Sequence, residues 1–161
     1  MNPTIYCTHV ETPIGTIVLK STQSHLTQVL LPNAFRIQDT VVHETLLLNL
    51  AKQQLLDYFN GQRTSFTIPL SFKQSPFFTA TLNYLQTIPY GTTISYKTLA
   101  IAVQHPRAVR AVGHACSKNP LPVFIPCHRI LGTDGRLTGY RGGLFAKRYL
   151  LELEKVHCTL K

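Results

Sequence analysis

Cys127 is followed directly by His128, and this pair is where the chain could do chemistry. A thiol near its free pKa of ~8.5 is mostly protonated at neutral pH, and a neighbouring imidazole is the usual means of making it a nucleophile. Pro126 fixes φ just before the cysteine and removes an N–H, so stiff backbone presents the thiol. The same dipeptide can also be a small buried apolar residue beside a hydrogen-bonded ring, so the neighbours must decide. A short apolar run from Leu121 to Ile125, broken by Pro122, precedes the pair, and a second opens at Ile130. Asn119-Pro120 lies upstream, and Gly139-Tyr140-Arg141-Gly142-Gly143 lies downstream as a loop able to fold over a ligand.

The elements around this pair read as mainly helical. Ser75 is a good N-cap with Pro76 at the first helical position, and Phe78, Leu82 and Leu85 mark a helix to about Thr87. Ile88-Pro89-Tyr90-Gly91 stops it. A second helix is expected from Ser95 or Tyr96 to Val103, and a third from Pro106 to about Lys118, with Gln104-His105 as the turn between them. At ~100° per residue the third divides into an apolar stripe (Val109, Val112, Cys116) and a basic one (Arg107, Arg110, His114, Lys118). Ala108, Ala111, Gly113 and Ala115 keep the remainder small enough for close approach to a groove, and no acidic residue occurs from Arg107 to Gly132, which favours DNA contact. Thr133-Asp134-Gly135-Arg136 is a hairpin-turn signal, and Leu144 to Lys155 is the final helix, with a ragged tail expected after it.

The first part of the chain reads differently. Thr4–Val10 and Thr16–Leu19 are strand-like runs around the turn Pro13-Ile14-Gly15, and Leu26–Leu31 is a third strand stopped by Pro32-Asn33. Between Val41 and Asn60, Leu47, Ala51, Leu55 and Phe59 form an apolar stripe of a helix that Gly61 ends. Phe66 to Phe72 reads as a last strand, and the domain boundary falls within Ser71–Ser75.

Composition bounds the function. With 161 residues and 44% hydrophobic content the chain can bury a core as one domain or two small ones. No run approaches the roughly 18 apolar residues of a membrane span, and no leader precedes the first strand, so an intracellular protein is expected, cytoplasmic if prokaryotic. Cys7, Cys116, Cys127 and Cys158 show no paired spacing, which fits reduced thiols. Cys7, His9, His25 and His43 match no zinc pattern, so no metal is expected. Sixteen Lys plus Arg against seven Asp plus Glu gives +9, which favours a polyanionic partner through counterion release.

From about Ser75 to Lys155 the chain resembles the O6-alkylguanine-DNA alkyltransferase family, the methylated-DNA-protein-cysteine methyltransferases. The resemblance is carried in order by Ile88-Pro89-Tyr90-Gly91, Ile94-Ser95-Tyr96, Arg107-Ala108-Val109-Arg110-Ala111-Val112-Gly113, Asn119-Pro120, Ile125-Pro126-Cys127-His128-Arg129 and Gly139-Tyr140. It implies a small α/β domain of ribonuclease H-like fold over residues 1–72, then a mainly α winged helix-turn-helix domain over 76–161. It also implies a suicide methyltransferase of DNA repair, without a cofactor, acting as a monomer on double-stranded DNA that contains O6-alkylguanine.

Residue by residue, the resemblance implies Cys127 as nucleophile and alkyl acceptor, His128 as its base through a water, and Glu154 as the carboxylate that orients the imidazole. Tyr96 would donate to the leaving purine, and Asn119 would brace the site through backbone contacts. Tyr140, Arg141, Pro122 and Val123 would line the base pocket. Arg110 would replace the flipped nucleotide in the stack, with Ala111, Gly113 and His114 lying at the groove. Arg107, Lys118, Thr92 and Ser95 would contact phosphates. Glu152 is the local rival of Glu154, and two residues away on one helix it would face about 200° away. Phe78 stands near where many relatives carry tryptophan, and Gly142-Gly143 departs from the bacterial pattern at the pocket lid.

Two other classes compete. A winged helix-turn-helix transcription factor with a merely buried Cys127 would bind an operator sequence and ignore alkylated guanine. A Cys-His hydrolase would turn over, and it leaves the basic helix unexplained.

Overall fold

The structure, a computed structural model, describes residues 2–34 and 42–159. The chain divides into two compact units, Met1–Phe72 and Lys73–Lys161, each with its own core.

In the first unit, β1 (Tyr6–Thr12), β2 (Gly15–Ser21) and β3 (Leu26–Leu30) form an antiparallel sheet in the order β1-β2-β3. The β1–β2 register runs from Tyr6 opposite Ser21 to Thr12 opposite Gly15. Gly15 sits at φ +112°, and a Cβ there would come within 2.8 Å of the Pro32 side chain, so only glycine closes this turn. Helix α1 (Leu46–Phe59) starts at Thr45, whose hydroxyl accepts from Leu48 N–H, and ends before Gly61 at φ +73°. Leu48, Ala51, Leu55, Tyr58 and Phe59 are buried on the sheet side with Val10, Ile17, Val18, Leu19, Leu26 and Val29. Each buried Val, Leu, Ile or Phe side chain among them contributes about 1.5–3 kcal/mol on burial. The sequence placed this helix between Val41 and Asn60; Val41 lies outside the described residues, and the helix itself takes Leu46–Phe59. The expected strand from Phe66 to Phe72 does not form: Leu70 alone bridges Leu26, and the rest is irregular. Pro69 carries no N–H to sustain a ladder.

In the second unit, α2 (Pro76–Leu85) is capped by the Ser75 hydroxyl. A two-residue strand β4 (Ile94–Ser95) runs into α3 (Tyr96–Ala102), and α4 (Val109–Ser117) packs against α2 and α3. A 3-10 turn (Cys127–Arg129) leads into β5 (Ile130–Leu131), and α5 (Leu144–Thr159) ends the described chain. β5 pairs in parallel with β4, Ile94 opposite Ile130 and Ser95 opposite Leu131, which pins the 3-10 turn to the start of α3.

Three expectations are corrected here. α4 begins at Val109 rather than Pro106, because Ala108 has non-helical dihedrals and its N–H closes a turn onto His105 O. The Asp134-Gly135 turn forms, with Gly132 N–H on Arg136 O at 2.9 Å, but no second strand follows it, since β5 has found its partner in β4. The last helix runs on through Thr159 instead of fraying after Lys155.

Candidate active site

Cys127 stands at the head of the 3-10 turn and is 6% exposed. Its N–H donates to Ile125 O at 2.8 Å, and Arg129 N–H donates to Pro126 O at 3.1 Å, so the thiol is held by a tight double turn. Asn119 supports that turn from behind. Its Nδ2 donates to Ile125 O at 2.9 Å, and its Oδ1 accepts from Leu121 N–H at 2.9 Å, with the side chain buried. Between them Val123 adopts φ +72°, a costly conformation for a β-branched residue and one that accumulates around functional sites.

His128 is fully buried, with Nε2 2.8 Å from Glu154 Oε1. Glu154 in turn collects a dense set of donors. Arg129 Nε lies 2.9 Å from Oε2 and its terminal nitrogen 2.8 Å from Oε1, while Gly91 N–H reaches Oε2 at 3.1 Å. The other terminal nitrogen of Arg129 donates to Ile88 O at 2.6 Å, and the guanidinium lies 5.8 Å from the Tyr90 ring centre. Burial works to raise the Glu154 carboxyl, but the hydrogen bonds and charges of His128 and Arg129 outweigh it and hold it well below the usual carboxylate range. Burial pushes His128 the other way, below its ordinary value, against the pull of Glu154. The resting pair is therefore carboxylate and neutral imidazole. An ionised Glu154 must accept, so Nε2 carries the hydrogen and Nδ1 carries the basic lone pair. Arg129 makes this arrangement stable, because it supplies the countercharge that His128 does not.

A cavity of about 320 Å³ opens in front of the thiol, with Tyr96, Cys116, Asn119, Pro122, Tyr140 and Arg141 among its lining residues. That is the low end of the range for small-molecule sites. Burial pushes the Cys127 thiol up, while the Asn119 side chain and the charges of Lys147 and Arg141 pull it back. The resting sulfur is a thiol that needs a base. The Tyr140 hydroxyl is buried without a hydrogen-bond partner among the described residues, and burial raises its pKa well above the ordinary value. Tyr96 is also raised by burial. Lys147, fully buried, donates to Thr138 O at 2.8 Å and places Nζ 5.8 Å from the centre of the Tyr96 ring.

The remaining sequence-predicted residues differ in exposure. Pro122 and Val123 are buried, Pro122 against the cavity. Arg107, Arg110, Ala111, His114, Lys118 and Thr92 are exposed, and Gly113 lies half-buried over the Tyr96 ring. The Ser95 hydroxyl caps α3 by accepting from Thr98 N–H at 3.0 Å. Glu152 is exposed and takes no part in the buried cluster. Sequence reasoning missed Arg129 and Lys147. Arg129 was counted in the basic stretch that favours DNA, yet it is 6% exposed and turned onto Glu154. Among the described residues no three His, Cys, Asp or Glu side chains converge to hold a metal.

Two family models match the chain: the ribonuclease-like domain of 6-O-methylguanine DNA methyltransferase over residues 5–72, and its DNA binding domain over residues 76–156. The chain belongs to the 6-O-methylguanine DNA methyltransferase family. It is 41% identical to the constitutive methylated-DNA–protein-cysteine methyltransferase of Bacillus subtilis, covering 94% of this chain and 96% of that protein. To the methylated-DNA–protein-cysteine methyltransferase of Methanosarcina barkeri it is 38% identical, covering 94% and 98%. Among solved structures, the O6-methylguanine methyltransferase of Mycobacterium tuberculosis superposes with TM-score 0.87 at 37% identity, covering 98% of this chain and 99% of that one. The M. tuberculosis protein in complex with DNA gives the same TM-score and identity, covering 94% of each chain. The family thus has the two-part architecture seen here, a ribonuclease-like part followed by a DNA-binding part.

Proposed function

We propose that the protein repairs DNA by moving a methyl or other alkyl group from O6 of guanine to Cys127, once per molecule. The observation that carries this reading is a buried thiol on the wall of a 320 Å³ cavity, next in sequence to a histidine whose Nε2 is 2.8 Å from a buried carboxylate. In the reaction, Cys127 Sγ attacks the alkyl carbon in line as the bond from that carbon to O6 breaks. The thiol proton passes to His128 Nδ1, through a water, and Glu154 stabilises the imidazolium. The purine leaves with the bonding pair and takes a proton at N3 from Tyr96. Lys147, whose charge pulls the Cys127 thiol down, favours the thiolate that precedes the attack. The product thioether has no leaving group that water can displace, so the protein is consumed.

The target atom lies inside the duplex, so the nucleotide must be extruded at a cost of a few kcal/mol. In this reading α3 and α4 act as a helix-turn-helix with the loop after β5 as its wing. Arg110 fills the vacated stack, Ala111 and Gly113 allow close approach, and His114 faces the groove. Arg107, Lys118, Thr92 and the backbone at Ser95 hold phosphates. Tyr140 and Arg141, with Pro122 and Val123, bound the pocket for the base. Residues 76–161 then carry binding and transfer, and residues 1–72 form a separate domain without chemistry of its own. We infer a monomer that works where DNA is, inside the cell. The test is intact mass after incubation with duplex O6-methylguanine. One added methyl per molecule is expected, none with Cys127→Ser, and product beyond one equivalent would overturn the reading.

A further inference from the structure

The cavity holds a second thiol. Cys116, near the end of α4, is 7% exposed and lines the same space as Cys127, and the transfer reaction makes no use of it. The two cysteines are tied through one residue. Asn119 N–H donates to Cys116 O at 3.2 Å, and Asn119 Nδ2 donates to Ile125 O, the carbonyl that also accepts from Cys127 N–H. Both positions are thus fixed by one short hydrogen-bonded segment. The surroundings also give the thiols different characters. Burial raises both, and with the charge of Cys127 it drives Cys116 far up, whereas at Cys127 the Asn119 side chain, Lys147 and Arg141 offset part of it. Cys127 is the sulfur that reacts first in the proposed function, and Cys116 is a protonated thiol lining the same cavity.

We propose that Cys116 is an oxidation site paired with Cys127: a hydroperoxide oxidises Cys127 to a sulfenic acid, and Cys116 closes a disulfide onto it. In the first step Cys127 Sγ attacks the terminal peroxide oxygen and the O–O bond breaks. The sulfur loses two electrons, and the hydroperoxide is reduced to an alcohol or, for hydrogen peroxide, to water. In the second step Cys116 Sγ displaces the hydroxyl from the sulfenic sulfur, and its proton leaves with that hydroxyl as water. The disulfide keeps Cys127 off the irreversible sulfinic and sulfonic rungs, and a reducing thiol restores it by exchange. For a protein that spends its nucleophile once, this preserves unreacted molecules through an oxidative episode. The inference rests on the reading of Cys127 as the reactive sulfur.

The experiment treats the full chain with hydrogen peroxide, then reads a non-reduced peptide map and methyl transfer before and after dithiothreitol. Wild type is expected to lose two hydrogens per molecule, to show a Cys116–Cys127 cross-linked peptide, and to regain transfer on reduction. Cys116→Ala and Cys116→Ser should instead accumulate sulfinic acid at Cys127, with transfer lost after the reductant. Wild-type protein carrying sulfinic acid at Cys127 with Cys116 unlinked would overturn the proposal, and that map decides even if the variants fold poorly. Transfer by untreated protein separates the two readings. A chain that transfers methyl but never forms the bond sinks this inference alone, and one that forms the bond without transferring sinks the repair reading alone.

Discussion

Glu154 is the acid around which the buried chemistry is arranged, and its two oxygens take hydrogen bonds from His128, Arg129 and Gly91. Glu154→Gln removes the charge opposite a buried guanidinium, so it is expected to slow methyl transfer by orders of magnitude and to destabilise the fold by about 3–5 kcal/mol. Glu152→Gln, at an exposed position, should be close to silent in both. Transfer rates and urea midpoints of the two variants check this, and equal effects would refute it. Cys127 and His128 stood out in the sequence because they are adjacent. Glu154 could be named only through the family resemblance, since 26 residues separate it from His128. Arg129 was missed for a physical reason: arginine in a basic stretch reads as a solvated or DNA-facing charge, and only the position of α5 shows that it is turned inward.

The helices around the site were legible wherever caps and periodicity agree. Ser75 and Pro76 start α2, and Ser95 starts α3, as their side chains dictate. The weaker boundary is the start of α4, where Ala108 offers no side-chain cap and the helix opens three residues after the proline. The hairpin expected around Asp134-Gly135 was a sound local reading that lost to a distant partner, β4, which the sequence does not advertise. Between α3 and α4 the chain turns through Gln104 at φ +65°, with its N–H on Ile101 O and His105 N–H on Ala100 O, a helix ending that usually carries glycine. Gln104→Gly should therefore stabilise the protein by about 0.5–1 kcal/mol, seen as a higher melting temperature. An unchanged or lower value would show that the Gln104 side chain has contacts worth more than the backbone relief. On α4 itself, Arg110 is exposed, and its proposed role exists only in a paired duplex. Arg110→Ala should depress the rate on duplex O6-methylguanine strongly and barely change the rate on the free modified base. An unchanged ratio of the two rates would reduce Arg110 to one more phosphate contact.

The two units meet between Phe72 and Lys73, whereas the sequence reading placed a boundary within Ser71–Ser75 after a strand over Phe66–Phe72 that does not form. Net charge pointed toward a polyanionic partner but not to the active groups, because +9 is a property of the whole chain. Stability as a function of pH is also a property of the whole, and two buried groups give it a sign. His128 is held below its ordinary value, so below about pH 6.5 the unfolded chain takes up a proton that the folded one refuses. Glu154 is held low as well, so its contribution is present above about pH 4.3 and is lost as pH falls further. Both act in one direction: the denaturation midpoint should fall as pH is lowered from 7 to 4. A flat or rising profile would contradict the carboxylate and neutral imidazole assigned here. The placement of Glu154 on α5 has a further consequence, for synthesis on the ribosome. A growing chain acquires its cysteine, histidine and arginine well before their carboxylate. Until α5 docks, Arg129 has no buried countercharge and His128 no fixed tautomer. In the proposed reaction, transfer should therefore await the docking of α5, because only then is the imidazole beside the thiol fixed by Glu154.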